Sequence, residues 1–231
     1  MRAKRAVAGV IICVEEAQAA EYREHNPDVE IVTHPNEVKG LVAKRQWMKD
    51  HFKALFMIDD DCVQMNRLWA VPDSLPIKVT PDEARRIIQA DAVLAKDLGC
   101  ALFGFAPSAT IYIYSALKPF AFNRVLNGAF MGVLDSPDIY FHPDFVTGHD
   151  HFVSLLSLHK HRIVLTDSRF SFVNGKTMGH TGGLAEQRTM EVEKRVVPLM
   201  RKFFGDVVQY KQPRKLNAGI HPYQRHYTIP L

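Results

Sequence analysis

The sequence has no long hydrophobic run: no stretch approaches the roughly 20 apolar residues that cross a bilayer, so no membrane span is expected. It is also poor in cysteine, with only Cys13, Cys62 and Cys100, and it lacks a CxxC pair. Three thiols, in or beside apolar strand-like runs, point to free buried side chains in a reducing, cytoplasmic setting. They argue against a structural zinc site. Internal repeats and low-complexity linkers are absent too, and no clean domain boundary stands out. The opening Met1-Arg2-Ala3-Lys4-Arg5, followed by Ala6 to Val14, has the outline of a signal peptide. However, no small-residue cleavage site precedes the charged stretch at Glu15, and a buried first strand is the expected reading.

What is present fits one globular domain with a tail: 231 residues, 47% apolar and 23% charged. The net charge of +4 is unevenly placed. From position 194 onward Lys194, Arg195, Arg201, Lys202, Lys211, Arg214, Lys215 and Arg225 stand against Asp206 alone. Such a segment is either a solubilising tail or a surface for phosphate, on nucleic acid or on an anionic donor.

The first half alternates short apolar runs with helical patterns. Strands are expected at Arg5 to Val14, Val29 to Thr33 and Ala54 to Ile58, and helices at Glu15 to His25 and after a cap at Asn36. That βαβαβ order predicts a mainly parallel sheet flanked by helices on both faces. Thr80-Pro81-Asp82-Glu83 opens a further helix whose inner face, Ala84 to Leu98, is apolar except for Asp91. Later strands are expected at Ala101 to Ala106, Ile111 to Tyr114, Phe130 to Leu134, Ile139 to Phe141, Ile163 to Thr166 and Phe170 to Val173. Helices are expected at His149 to His161 and Leu184 to Phe204.

Three constellations carry chemistry. Asp59-Asp60-Asp61 follows the apolar run Ala54 to Ile58, so the carboxylates sit where open α/β sheets bind ligands. Three adjacent carboxylates repel one another and favour Mg²⁺ or Mn²⁺. Thr147-Gly148-His149-Asp150-His151 opens a helix, with Asp150 either a cap or a proton acceptor aimed at the acceptor. Met178-Gly179-His180-Thr181-Gly182-Gly183 flanks a histidine with glycines, so the backbone at Gly179 can approach a phosphate and His180 can join a metal. Alternatively, His180 is a structural hydrogen-bonder. Asn127-Gly128-Ala129-Phe130-Met131-Gly132 is either a sugar or acceptor pocket or a turn entering a core strand. Lys44 and Arg45 either meet a diphosphate or are solvated charges.

In this order the three constellations resemble a GT-A-fold glycosyltransferase (Rossmann-like, α/β) over about residues 5 to 185. The resemblance matches Asp59 and Asp61 to the DxD metal ligands, Asp150 to the catalytic acidic position and His180 to the late metal ligand. His149 departs from the usual Glu-Asp pair, so Asp144 stays open as an alternative base. Within that fold the run Phe56 to Cys62, the Asn127 to Gly132 run, Gly148-His149-Asp150 and the Gly179 to Gly183 turn look like the TET-associated glycosyltransferases of phages. That group modifies hydroxymethylated pyrimidines in DNA. With the segment after Gly205 read as an appendage, the expected organisation is a glycosyltransferase domain at 1–205 and a basic appendage at 206–231 packed on it. The resemblance also implies a nucleotide-sugar donor such as a UDP-sugar, Mn²⁺ or Mg²⁺, and DNA bearing 5-hydroxymethylcytosine as acceptor. Asp60 would face ribose or sugar hydroxyls.

Rival readings stay open at this point. Asp59-Asp60-Asp61-Cys62-Val63 also fits the DxDxV of haloacid-dehalogenase-like phosphohydrolases, and a glycan or protein acceptor is the alternative to DNA. His142-Pro143-Asp144 with His180 and Arg188 imitates an iron-binding facial triad. A non-catalytic DNA-binding module would use the basic tail alone.

Overall fold

The computed structural model describes residues 2–69, 76–108, 114–175, 189–210 and 225–228. In chain order these form β1 (Ile11–Glu15), α1 (Ala19–His25), β2 (Glu30–His34), α2 (Leu41–Phe52), β3 (Leu55–Ile58), β4 (Cys62–Arg67) and β5 (Ile77–Val79). Next come α3 (Pro81–Asp97), β6 (Leu102–Phe105), β7 (Phe120–Ala121), β8 (Phe130–Val133), α4 (His149–His161) and β9 (Leu165–Asp167). β10 (Phe170–Asn174), α5 (Met190–Phe204), β11 (Val208–Tyr210) and β12 (Arg225–Tyr227) complete it.

The centre is a five-stranded sheet of order β3-β8-β6-β9-β7. Only β6 and β9 pair in parallel; β3–β8, β6–β8 and β7–β9 are antiparallel. A β10-β4-β5 sheet is antiparallel throughout, while β1 and β2 form a separate parallel pair. The domain is therefore mixed α/β, and the expected mainly parallel sheet is corrected. β3, β6 and β9 do run the same way, but β8 returns between β3 and β6. A strand buried on both faces is apolar in either direction, so Phe130 to Leu134 could not disclose its sense.

Alternation along the central strands explains the two larger of three hydrophobic clusters. Met57, Leu102, Met131 and Val133 point to a cluster covered by α2, α4 and α5. Phe56, Ile58, Phe103, Phe105 and Phe130 point to a second cluster under α3, β4 and β10. Gly132 has to be glycine: an added Cβ would lie 2.0 Å from the Phe103 ring. α3 begins as its residues require, with Thr80 Oγ1 accepting from the Glu83 N–H at 3.3 Å and Glu83 Oε2 accepting from the Thr80 N–H at 3.0 Å. Losing such a cap costs ~1 kcal/mol.

Other expectations shift at element ends. The first strand starts only at Ile11, because Ala3–Arg5 is a 3₁₀ turn and Gly9 takes φ +69°. Gly40, not Asn36, precedes α2, and Asn36 Oδ1 accepts instead from the Ala17 N–H at 3.0 Å. Ile139 and Phe141 are buried in a loop, packed without strand pairing. β4 was not anticipated. The expected strand at Ile111 to Tyr114 lies almost wholly outside the described residues, as do residues 184–188 of the expected last helix. From 206 onward Val207, Val208, Tyr210 and Tyr227 pack into the first cluster. Among the described residues no helix is long and apolar enough to cross a membrane.

Candidate functional site

The carboxyl end of β3 and the amino end of β8 lie side by side, since Ile58 is paired with Phe130. The Asp59 N–H donates to the Ala129 carbonyl at 2.8 Å, which holds the aspartate triplet against the Asn127-Gly128-Ala129 turn. α4 brings its first turn to the same place. Gly148 precedes it in the left-handed region, φ 73°, which glycine adopts without strain.

Arg45 ties these pieces together. It comes from the buried face of α2 and is only 2% exposed. Its Nη2 donates to Asp59 Oδ1 at 3.0 Å and its Nη1 to His149 Nε2 at 2.6 Å. His149 can accept because burial, reinforced by the Arg45 charge, pushes its pKa down to about 4 and leaves it neutral. Gly128 sits over this contact: a Cβ there would lie 2.8 Å from Arg45 Nη1 and 2.9 Å from the Asp150 Cβ.

Asp150 Oδ2 accepts from the Gly128 N–H at 3.1 Å and Oδ1 from the His151 N–H at 2.9 Å. Burial works to raise this carboxyl. His151, His149, the His151 N–H and Arg45 outweigh it, and the net shift is downward. An ionised carboxylate in the first turn of a helix is also favoured by the helix dipole.

The triplet is short of positive charge. Burial raises the Asp59 carboxyl, Arg45 opposes, and Asp61 and Asp60 add to the rise. Burial and then Asp60 raise Asp61. Asp61 Oδ1 is buried with no hydrogen-bond partner among the described residues. The Asp61 carbonyl accepts from the Gly175 N–H at 2.7 Å, so the chain carrying Gly179 and His180 departs from beside the triplet. Gly179 and His180 themselves lie outside the described residues. Among the described residues no group of three histidine, cysteine or acidic side chains could hold a metal. The orphaned Asp61 oxygen and the raised carboxyls nevertheless suit a cation supplied with further ligands.

A cavity of about 870 Å³ opens beside Asp59 and Asp60. It lies between β1 and β3, with Tyr22, Lys44, Arg45, Arg85 and Gln89 on its walls. Its size is that of a small-molecule site.

Of the residues singled out by sequence, Asp59 and Arg45 are in direct side-chain contact, Asp150 lies beside them across Gly128, and Lys44 and Asp60 line the cavity. Asn127 spends its Oδ1 in its own turn, accepting from the Ala129 N–H at 2.9 Å. Asp144 has a side chain 64% exposed and pairs with His142 at 4.0 Å. In the basic tail Arg195 pairs with Glu191, and Arg201 donates to the Val208 carbonyl. The role of Arg45 as a hub to His149 and Gly128 was missed. Its signal was the spacing Leu41, Arg45, Met48, Phe52, which puts the arginine on the buried stripe of α2.

Fold and site together define an α/β domain with a carboxylate centre at the strand ends, next to a ligand-sized cavity. The family model described as TET-Associated Glycosyltransferase matches residues 1–183. The chain belongs to that family and is a glycosyltransferase. The phosphohydrolase, dioxygenase and non-catalytic readings give way to it. No curated protein and no solved structure is a significant match.

Proposed function

We propose that the protein moves a sugar from a nucleotide-sugar, a UDP-sugar by family resemblance, to the hydroxymethyl oxygen of 5-hydroxymethylcytosine in DNA. The observation that carries this reading is the Arg45-centred contact. One buried guanidinium joins Asp59 of the triplet to His149, the residue before Asp150, and Asp150 accepts from the Gly128 N–H beside it.

Asp59 and Asp61 would hold Mn²⁺ or Mg²⁺, with His180 as the further ligand the resemblance implies; Asp61 Oδ1 is the oxygen that lacks a partner. When bound, the cation neutralises charge gathering on the departing nucleoside diphosphate. Lys44 and Arg85 on the cavity wall suit the phosphates, and the edge of β1 with Tyr22 suits base and ribose. Asp60, at the rim, suits a ribose or sugar hydroxyl.

As the bond from the anomeric carbon to the phosphate oxygen breaks, the acceptor oxygen forms its bond to that carbon. In an inverting transfer Asp150 takes the acceptor proton; in a retaining one it orients the hydroxyl. Its downward-shifted pKa keeps it ionised for either task. The basic residues of the C-terminal segment suit DNA phosphates, and the target group projects into the major groove or is reached by flipping the base.

The test is mass spectrometry of DNA with and without hydroxymethylcytosine, after incubation with protein, Mn²⁺ and a panel of nucleotide-sugars. A hexose-sized gain confined to the hydroxymethylated DNA is the expected result. No gain on any DNA would overturn the acceptor assignment and turn attention to glycan or protein hydroxyls.

A further inference from the structure

The family match ends at residue 183, yet a residue far beyond it reaches the helix that carries Asp150. β11 and β12 pair antiparallel, with Val208 opposite Tyr227, and the Thr228 N–H donates to the Val207 carbonyl at 2.9 Å. Val208 is fully buried in the main cluster, and Arg201 Nε donates to its carbonyl at 2.8 Å, so the pair is fixed to α5. From this base the Tyr227 hydroxyl hydrogen-bonds to His151 Nδ1. The two rings sit edge to face, 5.3 Å apart at 61°, and the same hydroxyl lies 3.9 Å from Met200 Sδ.

His151 is the residue after Asp150, and its N–H donates to Asp150 Oδ1 at 2.9 Å. We propose that Tyr227 is a positioning residue for the sugar transfer. By anchoring the His151 ring it fixes the first turn of α4, and so the direction of the Asp150 carboxylate toward the acceptor hydroxyl. This rests on the reading of Asp150 as the carboxylate that receives or orients that hydroxyl.

The physical case is one of leverage. Asp150 is held on one side by the Gly128 N–H at 3.1 Å and on the other by the N–H of the residue Tyr227 restrains. A side chain anchored at both ends of its reach loses little entropy on reaching the reactive geometry, whereas a first helical turn left to fray points the carboxylate over a wider cone. The arrangement also makes the C-terminal segment part of the catalytic unit. A protein truncated where the family match ends would keep the triplet and lose this anchor.

The test compares Tyr227→Phe, which keeps the packed ring and deletes only the hydroxyl, with wild type, Asp150→Asn and the double variant. Tyr227→Phe is expected to lower kcat about tenfold and leave the donor KM within about twofold, the pattern of a lost orientation rather than lost binding. In the Asp150→Asn background the same change is expected to add nothing, because the group it positions is gone. The ring nitrogens of His151, followed by NMR in the full-length protein without substrates, are expected to shift in Tyr227→Phe. Unchanged kcat, an equal loss in both backgrounds, or unmoved His151 resonances would each overturn the positioning role. Full activity of Asp150→Asn, with the His151 resonances still responsive to Tyr227→Phe, would instead overturn the assignment of Asp150, and the catalytic part of the proposal with it.

Discussion

Two aspartate–arginine pairs stand at the same end of the central sheet, and they are built in opposite senses. At the end of β3 the arginine is sealed and the acid open: the Arg45 side chain is 3% exposed and that of Asp59 42%. At the end of β9 the acid is sealed and the arginine open, with Asp167 at 0% and Arg169 at 37%. Arg169 grips Asp167 through Nε to Oδ1 at 3.0 Å and Nη2 to Oδ2 at 2.8 Å, and it lies 4.7 Å over the Phe120 ring. Behind Asp167 stands Asp91 of α3, whose carboxyl is pushed up to about 8 by burial and by the neighbouring Asp167 charge. The first pair offers a carboxylate to a cavity, and the second spends both of its carboxylates inside the fold. Adjacent acids and an arginine are thus not sufficient to mark a site; which partner faces solvent decides.

The sharpest break between the two is functional. Asp59→Asn should reduce sugar transfer by about 10³-fold, because it removes charge where the leaving group gathers its own. Its melting temperature should move by less than about 3 °C, since the amide still accepts from Arg45. A stable, fully active variant would place the chemistry elsewhere.

Asp167→Ala should behave the other way round. Removing the buried member of a bidentate pair costs ~3–5 kcal/mol in a sealed site, and the open face of Arg169 lowers that to about 2–3 kcal/mol. Urea unfolding reads this directly, and specific activity per folded molecule should be preserved.

Gly128→Ala sharpens the first half of the comparison. The new methyl must displace Arg45 Nη1 and Asp150, 2.8 and 2.9 Å from where it would sit. Transfer should fall about 10- to 100-fold with folding largely retained. An unchanged kcat would show that the placement of these two side chains does not set the rate.

The smallest effect concerns pH. Asp91 holds its proton with a folded pKa of about 8 against ~3.9 in the unfolded chain. Its contribution to stability is therefore complete below pH ~4 and is lost as pH rises through about 8. Between pH 6 and 9 the wild type should weaken relative to Asp91→Asn, with a slope of at most ~1.4 kcal/mol per pH unit. Parallel urea midpoints across that window would remove the Asp91 proton from the account.

Much of this is legible in the sequence. The capping box at Thr80, the helix beginning at His149 and the apolar run ending in the triplet all rest on local rules, and the fold keeps them. The inward-facing Asp91 was visible as the single polar position on its helix face, but its partners were not. They come from β9 and the turn that follows it, about 75 residues later in the chain and three-dimensional neighbours only. Ile139 and Phe141 misled for a related reason: burial makes a loop as apolar as a strand.

By itself the sequence determined which residues could do chemistry, because carboxylates after an apolar run and a carboxylate opening a helix are matters of residue type and spacing. The tertiary structure alone decided that Arg45 would be the buried link from Asp59 to His149, that β8 would return antiparallel beside the triplet, and that Tyr227 would reach His151. Each depends on pairing between segments far apart in the chain. Such contacts are selected by packing and by the exclusion of water, neither of which leaves a local mark.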